Sequence, residues 1–119
     1  MGSLIPGSFE SQVKYAVIDA ATSGNNEIIA AKQGSKFRII SCLLIASSDV
    51  LARFESGADG TAKTGQMDLT ANSGFSLNEN RSGWFETDKG ESLNLELSGA
   101  VSVDGCLSYI EIEPNQITK

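Results

Sequence analysis

The chain of 119 residues contains no histidine. This excludes the Ser-His-Asp and Cys-His arrangements of hydrolytic enzymes, and with them the usual general base at neutral pH. It also removes the commonest zinc ligand. Cysteine is almost as scarce, with only Cys42 and Cys106. They lie far apart in apolar, strand-like segments, a spacing that makes no zinc site. Buried free thiols are expected, and a disulfide between neighbouring strands is the alternative. Long apolar runs are missing too. The longest, Ile39 to Ala46, is interrupted by Ser41 and Cys42 and falls far short of the roughly 20 residues of a membrane span. Positive charge is in the minority, since 9 Lys and Arg against 15 Asp and Glu give a formal net charge of −6. Such a surface repels phosphate backbones and anionic lipid, so neither nucleic acid nor membrane is an expected partner. The opening Met1 to Pro6 lacks the basic start and apolar stretch of a secretory leader, so synthesis in a cytoplasm is expected.

What is present is an ordinary share of apolar residues, 40%, enough for one globular domain with its own core. The apolar positions recur with a period of two, the signature of strands, and Gly, Asn, Asp and Ser clusters cut them at short intervals. Residues 1 to 12 read as an extended arm, 13 to 114 as the folded domain and 115 to 119 as a polar tail. Strands are expected over Val13–Ala20, Glu27–Ala31, Lys36–Ser47, Val50–Glu55, Met67–Leu69, Trp84–Thr87, Leu93–Leu97 and from Val101 onward to Pro114. Lys36–Ser47 is apolar on both faces in its middle, so a central strand covered on both sides is expected. The stretch from Ala71 to Gly83 reads as mostly irregular. The last strand changes phase towards Ile110 and Ile112, which suggests a bulge there or near Gly105. The sum is an all-β antiparallel sandwich, jelly-roll-like, of eight or nine short strands.

Few residues invite chemistry. Glu91, Glu96, Glu111 and Glu113 lie on the last two strands. Glu111 and Glu113 flank Ile112 and are expected to share an exposed face with ordinary pKa values. Asp59-Gly60 and Asp104-Gly105 read as turns, since no segment matches a calcium loop. Gly57 to Gly60 lacks the Gly-Lys-Ser/Thr ending of a phosphate loop. No catalytic residue, cofactor or metal ligand is expected, and the chain is not expected to be an enzyme. Trp84 and Phe85 suggest a sugar-stacking platform, but neighbours on a strand point to opposite faces and are expected not to share one. Phe75 is expected in a loop open to a partner.

Three stretches with a distinctive order resemble the capsid decoration, or cement, family of small virion proteins of tailed bacteriophages. They are Lys32-Gln33-Gly34-Ser35-Lys36-Phe37-Arg38-Ile39-Ile40-Ser41, then Gly83-Trp84-Phe85-Glu86-Thr87 with Gly90-Glu91-Ser92-Leu93-Asn94-Leu95, and finally Val101 to Glu111. With Phe54-Glu55-Ser56-Gly57 they cover roughly residues 14 to 113. The resemblance implies a β-sandwich subunit, a homotrimer, bound to the major capsid protein on the outside of an icosahedral shell. It implies no catalytic residues. The expected capsid or subunit contacts are Leu4, Ile5 and Phe9 of the arm, together with Phe75 and Trp84. The alternative is a carbohydrate- or receptor-binding sandwich of a phage tail or fibre.

Overall fold

Alternation decides the strands. Leu93, Leu95 and Leu97 face one way and are fully buried, and Ile18 and Ala20 do the same on the first strand. A computed structural model describes residues 12–113, and these form two antiparallel sheets with ten strands. The first sheet has the order β1 (Val13–Ala20), β10 (Val103–Ile112), β3 (Lys36–Ala46) and β7 (Gly74–Leu77). The two-residue β8 (Phe85–Glu86) shares the outer edge of β3 with β7. The second sheet has the order β2 (Gly24–Ile29), β9 (Leu93–Leu97), β4 (Val50–Ser56) and β5 (Thr61–Ala62). There β6 (Met67–Leu69) shares the edge of β4 with β5. The sheets pack face to face over Ile18, Phe37, Ile39, Leu44, Phe54, Leu95 and Leu107. Each such side chain contributes about 1.5–3 kcal/mol by leaving water. The fold is a β-sandwich, as the period-two pattern predicts.

Four local expectations are corrected. The second strand starts earlier than Glu27 because Asn26 closes the preceding turn. Its Oδ1 accepts from the backbone of Ala21 and Thr22, while its Nδ2 donates to the carbonyls of Thr22, Gly24 and Leu95. Gly24, at φ +93°, then opens β2. The supposedly irregular stretch contains β7, which pairs Gly74–Leu77 with Cys42–Ile45. The strand count is ten because β5 is too short to show a periodic pattern and β7 lies in the stretch read as irregular, while β8 falls inside the expected Trp84–Thr87.

The fourth correction concerns β3. Its two-sided apolar character comes from a bulge, not from cover on both faces. Ser108 of β10 pairs with Ser41, but Tyr109 pairs with Ile39, so Ile40 is the extra residue. The inward phase therefore switches from Phe37 and Ile39 to Cys42, Leu44 and Ala46. The bulge falls in the region of Ile110 that the sequence suggests, and Gly105 is regular in register. Beyond the bulge, Leu43 and Ile45 point outward and are exposed. Of the expected arm, Leu4, Ile5 and Phe9 lie outside the described residues, as does the tail from 115 to 119.

Candidate functional site

The bulge positions a cleft. It separates the part of β3 that pairs with β8 from the part that pairs with β7. The chain between these strands folds over the gap, with Asn80 N donating to Ile40 O and Trp84 N to Ile39 O, each at 2.8 Å. Trp84 precedes β8 and follows Gly83, whose φ is +92°. Strand alternation does not govern it, so Trp84 and Phe85 line the same hollow, contrary to the sequence expectation. The hollow has a volume of about 340 Å³ and lies between the sheets. Phe75, Leu77, Trp84 and Phe85 wall it from the first sheet, and Phe54, Lys63, Thr64 and Met67 from the second. Phe75 lies on β7 and is half-buried, not in a loop. The rings of Phe54 and Phe85 are 5.3 Å apart.

The polar groups of this cleft are already engaged. Trp84 Nε1 donates to Asn78 O at 2.9 Å. Thr64 Oγ1 accepts from Phe54 N at 3.0 Å, and Lys63 Nζ holds Asp88 at 3.1 Å. The indole is still 46% exposed. With its N–H engaged, the cleft presents aromatic rings and aliphatic groups, and Lys63 at the rim.

A second feature covers the outside of the first sheet. Register places Tyr15, Ser108 and Ser41 in one outward row, and Val17, Cys106 and Leu43 in the next. Asp19, Asp104 and Ile45 form the third. Tyr15 is 77% exposed, Val17 73%, Ile45 52% and Leu43 46%. A shallow hollow of about 350 Å³ beside Leu43, Ile45 and Asp104 belongs to this face. Asp19 and Asp104 are direct cross-strand partners of like charge, an arrangement that disfavours the isolated sheet.

The thiols diverge. Cys42 points inward, and burial pushes it up to about 12. Cys106 is exposed on the opposite face, so the expectation of two buried thiols holds for one. Both are free, and side chains on opposite faces of one sheet do not bridge.

The carboxylates also depart from expectation. Glu111 is buried, because β10 keeps one inward phase from Val103 through Leu107 and Tyr109 to Glu111. Lys14 and Lys32 each reach it at 2.8 Å, and Ser35 Oγ donates at 3.2 Å. The hydrogen bonds from Lys14, Lys32 and Ser35 hold its carboxyl at about 2. Glu113 remains exposed beside Lys32. These groups close one end of the core with an ion cluster.

Glu55 is fully buried, with Arg53 Nε at 2.7 Å from Oε2 and no donor to Oε1. Glu96 lies beside it and shares Arg53 at 3.1 Å. A hydrogen bond to Glu55, which only a protonated carboxyl can donate, raises Glu96 above its ordinary value, with desolvation and the charge of Glu55 adding to it. A raised acid stabilises the fold at low pH and loses that contribution as pH rises through its folded pKa. Glu96→Gln keeps a donor at every pH, so its melting temperature at pH 7 should exceed that of the unmodified chain by roughly 1–4 °C. The gain should vanish near pH 3. Differential scanning calorimetry at both pH values checks this, and a lower melting point at pH 7 would contradict the shared proton.

Among the described residues no group of three or more Cys, Asp or Glu could hold a metal ion. Of the residues singled out in the sequence, the structure brings Phe75 and Trp84 together and adds Phe85. The outward Tyr15, Val17, Leu43 and Ile45 escape sequence reading, because a strand's two faces look alike until the bulge is placed. No family model, curated protein or solved structure matches the chain.

Proposed function

We propose that the protein is a virion structural subunit that decorates the outside of an icosahedral phage capsid and stabilises it. One observation carries the reading, the outward face bearing Tyr15, Val17, Leu43 and Ile45, which no described part of the chain covers. An apolar face on an otherwise charged surface favours a protein partner. The uncompensated Asp19–Asp104 pair favours a partner that brings lysine or arginine to the same place, as a basic patch on a major capsid protein would. Repetition over a lattice multiplies a modest contact into shell stability. The strand order, with β1 beside β10 in one sheet and β2 beside β9 in the other, supports the jelly-roll-like reading of the sandwich. The subunit is a homotrimer on this proposal, made in the host cytoplasm and resident on the capsid exterior. It takes no cofactor and performs no catalysis.

Co-sedimentation with empty particles tests the proposal. The unmodified chain should pellet with them at saturable occupancy. Val17→Asp and Leu43→Asp alter only exposed positions and should weaken occupancy about tenfold or more. No binding by the unmodified chain, or equal binding by both variants, overturns the reading. Light scattering should give three times the monomer mass. The alternative, a carbohydrate- or receptor-binding module, has the exposed face of Trp84 in its favour, and saturable quenching of that residue by a glycan is its test.

A further inference from the structure

The cleft beside Trp84 asks for an apolar occupant. Its hydrogen-bonding groups are satisfied within the protein, so an incoming polyol finds few partners there, whereas an aliphatic chain meets Phe75, Leu77, Phe85 and Met67. We infer that the occupant is the chain's own N-terminal segment, with Leu4 and Ile5 seated in the cleft and Phe9 on the approach to it.

Register supplies the distance. Val13 pairs with Ile110, Ile110 with Arg38 and Arg38 with Glu86. These four residues form one row across the sheet, and Glu86 follows Phe85 at the cleft wall. Three strand spacings of about 4.8 Å put the start of β1 about 14 Å from β8. An extended chain advances about 3.3 Å per residue, so Ile5 and Leu4 reach about 26–30 Å from Val13, enough to cross the row and turn inward. Phe9 reaches about 13 Å, the width of the crossing.

Charge separates this site from the outward face of the same sheet. The segment from Met1 to Ser11 carries Glu10 as its only charged side chain. The outward face presents Asp19 and Asp104, which repel it, whereas Lys63 at the cleft rim is balanced by Asp88 and leaves no net charge there to oppose the segment. Tethering also favours the cleft of the same chain, because the local concentration of a short linked segment is in the millimolar range. The inference does not depend on capsid binding.

Trp84 is the single tryptophan and lines the cleft, so its emission reads occupancy directly. The full chain is compared with a variant carrying Leu4→Ser, Ile5→Ser and Phe9→Ser together. Circular dichroism checks that the two chains fold equally. The variant should shift its emission to the red, with about a twofold rise in acrylamide quenching as one ring face is uncovered. Identical emission and quenching overturn the inference. Emission of the unmodified chain should be independent of protein concentration. A blue shift that grows with concentration would assign the cleft to a second copy's segment and overturn the own-chain assignment.

Discussion

Replacing Gly105 by alanine should lower stability by about 2–4 kcal/mol, and the melting temperature by roughly 8–16 °C. Gly105 lies in the middle of β10, between Ile18 of β1 and Leu44 of β3. A Cβ built there would stand 1.9 Å from the carbonyl oxygen of Leu43. That oxygen belongs to the backbone of the central strand, so relief requires β3 or β10 to move. Gly74 makes the same approach from the other side, where an added Cβ would be 1.8 Å from Leu44 O. The two glycines let both neighbours close in on β3 at adjacent carbonyls. Alanine ordinarily gains about 0.4–1 kcal/mol over glycine by restricting the unfolded chain. The expected loss therefore reverses the usual sign, which makes it diagnostic. Gly99 is the control, since nothing lies within 4 Å of a Cβ there. Urea unfolding of Gly105→Ala, Gly74→Ala and Gly99→Ala checks the argument. A Gly105→Ala chain as stable as Gly99→Ala would show that the strands separate freely at this point.

The same glycine shows what a sequence can and cannot announce. Asp104-Gly105 reads as a turn by composition, yet the pair continues β10 without a break. Leu93, Leu95 and Leu97 are legible because strict alternation leaves one interpretation. Lys36 to Ala46 is legible as a strand but not in its facing. A run of apolar residues has no phase of its own, and only pairing with β10 shows that Ile40 is the inserted residue. Glu111 follows from the same ambiguity. Its spacing from Glu113 places both on one face, but which face depends on Tyr109 and Leu107 being inward. The cleft was half legible. Phe75 and Trp84 stand out by type, but their meeting depends on the break between β7 and β8, a tertiary feature with no local signal.

Breaks and bulges of this kind carry the architecture towards its proposed role. Sheets with continuous edges leave little hollow space between them. Here β3 and β4 each share an outer edge between two short strands. The cleft opens between these two interrupted edges, while the opposite edge of the first sheet ends in β1. That strand turns Tyr15 and Val17 outward and Lys14 towards the core end. An inward-directed charge on an edge strand discourages unwanted strand addition. On the proposed reading, the outward face and not the edge then meets the partner.

Lys14 is held by the residue whose loss should be felt next most strongly. Glu111→Gln should cost about 2–3 kcal/mol at pH 7, because it removes the charge that Lys14 and Lys32 share and leaves the two ammonium groups facing a neutral amide. The carboxyl is depressed in the folded chain to about 2 from an ordinary 4.5. A depressed acid contributes stability above its unfolded pKa and loses it as pH falls through the folded one. The window therefore runs from about pH 5 down to about pH 2. Solvent reaches both lysines, so the pH-dependent part is discounted to about 1–2 kcal/mol. Stability of the unmodified chain should fall steeply across this window, and that of Glu111→Gln should fall less. The two curves should converge towards pH 2, where the native carboxyl is itself protonated. Urea titrations at pH 7, 4 and 2.5 measure the gap. Parallel curves at all three values would mean that Glu111 keeps an ordinary pKa, and that the end of the sandwich is closed by packing and not by this ion cluster.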